Sequence, residues 1–289
     1  MSSQDLSPTH IPIKKLYLPP HFQRHHTTAT PSPGQRVKHH RFVQFMKSKE
    51  PTQAFFLGSC RYNSYNWTSY FPGRLHSTKE MIFCLNNIHS IQETIHRLQQ
   101  QSPHLVDCIF GDLFHKNVVA ATQSFLAAAL PDVTKLVIEV STRKVYFKQG
   151  DSDQTPYNVH YTKQNSQTSN MLLVELTDKE LEQDLLHIQQ LGAEMFRCHN
   201  LFVVPHVNLI SKATGACIEK RQALCNTLQR IASKHKDMYF CNVGAYLLAN
   251  AGTTATLSLE DVMPDGSHWN KFGRSQIARF LDESLDVKK

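Results

Sequence analysis

At 289 residues with a 40% hydrophobic fraction, the chain is long enough to bury the core of one large α/β domain and carry a tail. Charged residues at 19%, with 11 Gly and 13 Pro, exclude collagen, coiled coil and wholesale disorder. The formal charge of +7 is unevenly spread: residues 1–50 hold eight Lys and Arg against Asp5 and Glu50, a net of +6, which leaves only +1 for everything that follows.

No apolar run is long enough to span a bilayer, and the opening MSSQDLSPTHIPIKK lacks the apolar stretch of a secretory signal, so the expectation is a cytoplasmic protein without membrane contact. Seven scattered cysteines (Cys60, Cys84, Cys108, Cys198, Cys217, Cys225, Cys241), with no CxxC pair, read as free thiols.

In chain order, residues 1–50 come first as a basic, Pro- and His-rich extension (PPHFQRHHTTATPSPGQRVKHHR). Pro19, Pro20, Pro31 and Pro33 deny it regular structure, and its charge suits weak contact with polyanions. The folded domain is expected over 51–289. Its candidate strands are Ala54 to Leu57, Leu105 to Phe110, Lys135 to Val140, Leu201 to Val204 and Met238 to Cys241, short apolar runs rich in β-branched and aromatic residues.

Helical segments separate them. Ser77 with Glu80, Ser90 with Glu93 and Thr177 with Glu180 are spaced as capping boxes, the last opening a run through Met195. Lys116 to Leu130, Cys217 to Lys234 and Phe272 to Leu285 complete the helices, and polar residues 150–170 read as a long excursion or hairpin. Five strands alternating with helices predict an α/β fold: a mainly parallel sheet covered on both faces, a three-layer α/β/α sandwich.

Ligand sites in such sheets form beyond the carboxyl ends of the strands. There the chain offers Gly58, Ser59 and Cys60, then Gly111 and Asp112, then Ser141, Thr142 and Arg143, then His206 and Asn208. The sharpest feature is Phe55-Phe56-Leu57-Gly58-Ser59-Cys60, a buried strand stopping at a glycine followed by a hydroxyl and a thiol. Gly58 permits a tight turn that aims the Ser59 amide into the site, and Cys60 is an alternative nucleophile. The second feature is Met263-Pro264-Asp265-Gly266-Ser267-His268-Trp269-Asn270, just before the last helix. Asp265 can orient the imidazole of His268, which then takes a proton from a serine.

The pair of motifs resembles the SGNH (GDSL-type) hydrolase superfamily, and particularly its GSCFA-like branch, over roughly residues 54–285. The resemblance implies a flavodoxin-like sandwich, Ser59 as nucleophile, His268 as general base and Asp265 as its orienting carboxylate. It also implies an acyl group on a carbohydrate or similar polar molecule as substrate. Gly111 matches the family's second-block glycine and is the expected oxyanion donor beside the Ser59 amide. The chain departs from the family where Leu57-Gly58-Ser59 stands in place of GDS. It departs again after the third strand, where Ser141-Thr142-Arg143 offers no Asn for the oxyanion. Arg143 there suits either an oxyanion or acidic substrate, or a structural pairing with a carboxylate. Ser141, His206 and Asn208 are the remaining substrate-binding candidates.

No zinc-ligand, P-loop or dinucleotide motif occurs, so neither metal nor cofactor is expected. The reading that follows is a serine esterase or acyltransferase. Its rival is a non-catalytic protein holding a glycan or polyanion on the same scaffold.

Overall fold

A computed structural model describes residues 53–62, 65, 67, 69–70, 75–90, 93–94, 97, 100, 133–150, 155–157, 171–250, 257–266 and 268–285. Strand β1 (Ala54–Leu57) is followed by a 3-10 turn over Cys60–Tyr62, the short β2 (Ser69–Tyr70) and helix α1 (Thr78–Asn86). Then come β3 (Lys135–Val140), β4 (Lys144–Lys148), β5 (Pro156–Tyr157), β6 (Met171–Glu175) and α2 (Asp178–Phe196). The remainder is β7 (Asn200–Pro205), α3 (Glu219–Lys234), β8 (Met238–Phe240), α4 (Val243–Asn250), α5 (Leu259–Val262) and α6 (Lys271–Leu285).

The main sheet runs β2-β1-β3-β7-β8 with every pairing parallel, so the chain is α/β with a mainly parallel sheet. Side chains of a strand alternate between its two faces, and here both faces are apolar. Phe55, Leu57, Leu136, Ile138, Val140, Leu201 and Val203 pack with α1, α2 and α3. Ala54, Phe56, Val137, Phe202 and Val204 pack with α4, α5 and α6. Helices on both sides of one sheet are compatible with a three-layer sandwich.

Four of the strands expected from sequence lie in this sheet. Leu105 to Phe110, Gly111 and the helix expected at Lys116 to Leu130 lie outside the described residues, as does the basic extension 1–50. The strand that pairs with the outer edge of β1 is Ser69–Tyr70, too short to announce itself as an apolar run. Of the polar stretch 150–170, Pro156–Tyr157 is a strand of a small antiparallel sheet of order β5-β4-β6, in which β4 and β6 pair from Lys144 with Glu175 to Lys148 with Met171, and residues 151–154 and 158–170 lie outside the described residues. Among the described residues no helix is long and apolar enough to cross a membrane.

Two of the capping boxes read from sequence form as such. Thr177 Oγ1 accepts from Glu180 N at 3.3 Å while Glu180 Oε2 accepts from Thr177 N at 2.8 Å. At α1, Ser77 Oγ accepts from Glu80 N at 3.4 Å, and Glu80 Oε2 accepts from the amides of Ser77 at 3.3 Å and His76 at 2.6 Å. Burial of Glu80 raises its carboxyl to about 7, against the opposing pull of those amides. The helix is pinned to α2 by Asp184, whose carboxylate accepts from Thr78 Oγ1 at 2.6 Å and Lys79 Nζ at 2.7 Å.

Asp184→Ala leaves the fully buried Thr78 hydroxyl without a partner and is expected to cost about 1–3 kcal/mol in urea unfolding. Asp184→Asn, which keeps an acceptor, should cost less. For Glu80, the folded carboxyl keeps its proton to about 7 while the unfolded one loses it near 4.5. The folded state therefore binds more protons across that window, and the stability Glu80 contributes falls as pH rises through it. Relative to Glu80→Gln, wild type should lose on the order of 3 kcal/mol across the window. A pH-independent gap between the two proteins would refute this titration.

Candidate functional site

The main sheet changes direction at β1, which has β2 on one side and β3 on the other. In open parallel sheets a crevice forms beyond the carboxyl ends of the strands at such a point. Ser59 follows β1 and Ser141 follows β3, so both stand there. A side chain at position 58 would meet Phe56 Cζ at 2.5 Å and Glu139 Cβ at 2.8 Å. Glycine is therefore demanded by the close approach of β3, and Ser59 comes directly against Glu139.

Glu139 is fully buried, on the face of β3 that also carries Val137. Its carboxylate is saturated. Oε2 accepts from the Ser59 hydroxyl and, at 3.1 Å, from the Ser59 amide. Oε1 accepts from Arg61 Nε at 2.8 Å and from Ser141 Oγ at 3.2 Å. Arg61 closes the ring by donating from Nη2 to Ser141 Oγ at 2.6 Å. A carboxylate can be taken out of water only when its charge is paired and its lone pairs are met, and this arrangement does both.

Asp265 and His268, the second motif singled out in the sequence, lie on the turn between α5 and α6. Asp265 Oδ1 accepts from the His268 amide at 2.6 Å, and Oδ2 lies 2.7 Å from Nδ1. Gly266, at a φ of 69°, makes the turn possible. Both side chains are more than half exposed, and with Nδ1 given to Asp265 the free ring nitrogen is Nε2. Trp269 then buries itself and anchors the start of α6.

Arg221, in the first turn of α3, spans the gap between the strand ends and this turn. It donates to Val207 O and to Gly266 O, each at 3.4 Å. Burial and the nearby Arg61 lower its guanidinium to about 10, partly countered by Glu139. His206 is buried with Nδ1 3.1 Å from Val207 O. Its burial and the charges of Arg61 and Arg221 hold the imidazole well below the usual histidine range, so it is neutral at pH 7.

The motif pairing of Asp265 with His268 is thus present as a hydrogen-bonded dyad, and Ser59 and Ser141 share the Glu139–Arg61 ion pair. Among the described residues no hydrogen bond joins Ser59 to His268. The Ser59 amide, expected to face an oxyanion, faces Glu139 instead, because that buried carboxylate needs the donor. Of the roles open to Arg143, the geometry carries the structural one: it pairs with Asp178 and donates to Thr227 Oγ1 at 2.5 Å, tying α2 to α3. Asn208 is likewise spent on the scaffold, its Oδ1 accepting from Ile218 N at 3.0 Å and its Nδ2 donating to Gln222 Oε1 at 3.0 Å.

The side chain of Cys60 lies outside the described residues. Cys84, Cys198, Cys225 and Cys241 are free and buried, and desolvation raises each thiol, Cys241 to about 12. Among the described residues no three His, Cys, Asp or Glu side chains converge as a metal site would require.

Sequence reasoning missed Glu139, Arg61 and Arg221. The first was signalled: a lone carboxylate inside the apolar strand KLVIEV demands a buried cation, and Arg61 is that cation. Glu139→Ala should destabilise the protein by about 3–5 kcal/mol, because it leaves Arg61 buried and unpaired. Chemical denaturation measures this, and a loss no larger than that of an exposed ion pair would show the ring to be energetically idle.

No family model matches the chain, and no curated protein sequence matches it either.

Proposed function

We propose that the chain is a serine-dependent esterase or O-acyltransferase, acting on an acylated carbohydrate or similar polar substrate. Its scaffold in this reading is a flavodoxin-like, five-stranded three-layer α/β/α sandwich in the cytoplasm. The observation that carries the proposal is the imidazole of His268, fixed through Nδ1 by Asp265 with its other edge exposed, on a turn whose Gly266 carbonyl accepts from Arg221. A histidine so oriented is a ready general base.

In the proposed reaction Ser59 Oγ leaves Glu139 and attacks the acyl carbonyl while His268 Nε2 takes its proton. Asp265 stabilises the imidazolium. Collapse of the tetrahedral intermediate breaks the ester bond, and His268 returns the proton to the departing alkoxide, leaving the acyl group on Ser59. Water or a second hydroxyl then attacks that ester, its proton passing through His268 in the same way, and Ser59 is regenerated. The amides of Ser59 and Gly111 are the assigned oxyanion donors, and the first becomes available as Glu139 lets it go.

The alternative, a non-catalytic binder of a glycan or polyanion, is favoured by one observation: both the hydroxyl and the amide of a fully buried Ser59 are committed to Glu139. A fluorophosphonate probe separates the two readings. Wild type should be labelled, Ser59→Ala should not, and His268→Ala should react at least about 100-fold more slowly. Equal labelling of wild type and Ser59→Ala, or none of wild type, would reject the enzyme in favour of the binder.

A further inference from the structure

Around the end of β3 the charges do not cancel. Arg61 is neutralised by Glu139, whose two oxygens are taken up by Ser59, Arg61 and Ser141. Arg221 lies within electrostatic reach of both and of His206, which stays neutral. Among the described residues one guanidinium therefore remains in excess. Its own hydrogen bonds among the described residues go to the carbonyls of Val207 and Gly266, both at 3.4 Å, near the limit of a useful bond. Among the described residues no carboxylate lies within ion-pair distance of it. Asp265, on the same turn as Gly266, is turned to the amide and ring of His268.

A half-buried guanidinium held by two weak carbonyl contacts is poorly compensated for the water it has lost. An oxyanion supplies the missing compensation, because its paired oxygens match the planar fork of donors. The position is specific as well. One contact of Arg221 is to the loop that follows β7 and the other is to the turn bearing His268, so an anion seated on it lies between that loop and that turn.

We infer that Arg221, backed by Arg61, is the anchor for an anionic group, a carboxylate or a phosphate monoester, borne by the molecule this site receives. The binding itself does not depend on catalysis. Only the statement that the anion belongs to a substrate rests on the esterase or acyltransferase reading.

The test is titration of the full chain with inorganic phosphate and, separately, acetate at constant ionic strength, followed by calorimetry and by the ring protons of the histidines. Saturable binding of at least one is expected, and which of the two binds tells phosphate from carboxylate. Arg221→Gln should weaken it about tenfold or more, and Arg221→Lys, which keeps the charge but loses the fork, should fall between. Circular dichroism and thermal unfolding confirm that each variant is folded. Ser59→Ala should bind the anion as wild type does while losing phosphonate labelling, so failure of the catalytic reading and failure of this inference show separately. Absence of saturable binding of both anions to wild type would overturn the proposal. So would equal affinity in folded Arg221→Gln.

Discussion

A single carboxylate, that of Glu139, organises the carboxyl end of this sheet. It is buried among apolar side chains at the end of β3, where an unmet charge would cost several kcal/mol, and every feature around it answers that cost. Arg61 supplies the counter-charge, Ser141 a second donor to the same oxygen, and Ser59 gives both its hydroxyl and its amide to the other. The residues after β1 and those after β3 are thereby held together by charge-assisted bonds, a stiffer link than packing alone provides.

The dyad of Asp265 and His268 is built on different principles. It is exposed, local in sequence and positioned by a glycine turn, with Trp269 packed beneath it and Arg221 reaching across to the Gly266 carbonyl. A rigid, dry cluster on the strand ends and an open imidazole are thus linked through Arg221, which lies within electrostatic reach of Glu139 and donates to Gly266 O on the turn that bears His268. The cluster at the strand ends sets geometry and charge, while the exposed dyad keeps the ring of His268 in contact with solvent. The excess cation of Arg221 belongs to both.

Much of the scaffold was legible in the residues. The strands at Ala54, Lys135, Leu201 and Met238 are apolar runs because both faces of the sheet are covered, and the boxes at Ser77 and Thr177 mark helix starts through the chemistry of free amides. Ser69–Tyr70 was not legible, since a strand of two residues has no periodicity. Pairing of Asp265 with His268 could be read because it is local. That Ser59 turns to Glu139 could not, because the partners stand 80 positions apart and meet only through the parallel pairing of β1 with β3. Arg143 and Asn208 stand out by their position at strand ends, but the helices they also fasten could not be read from it, because those partners are distant in sequence.

The contact at Gly58 leaves no room for a side chain immediately ahead of the serine. The volume such a side chain would fill is occupied by the ring of Phe56 and the stem of Glu139. Negative charge next to the hydroxyl arrives laterally, from the neighbouring strand, instead of along the backbone. Its placement is accordingly a property of sheet register: a slip of one residue between β1 and β3 would swing that carboxylate to the opposite layer and leave the serine facing hydrocarbon.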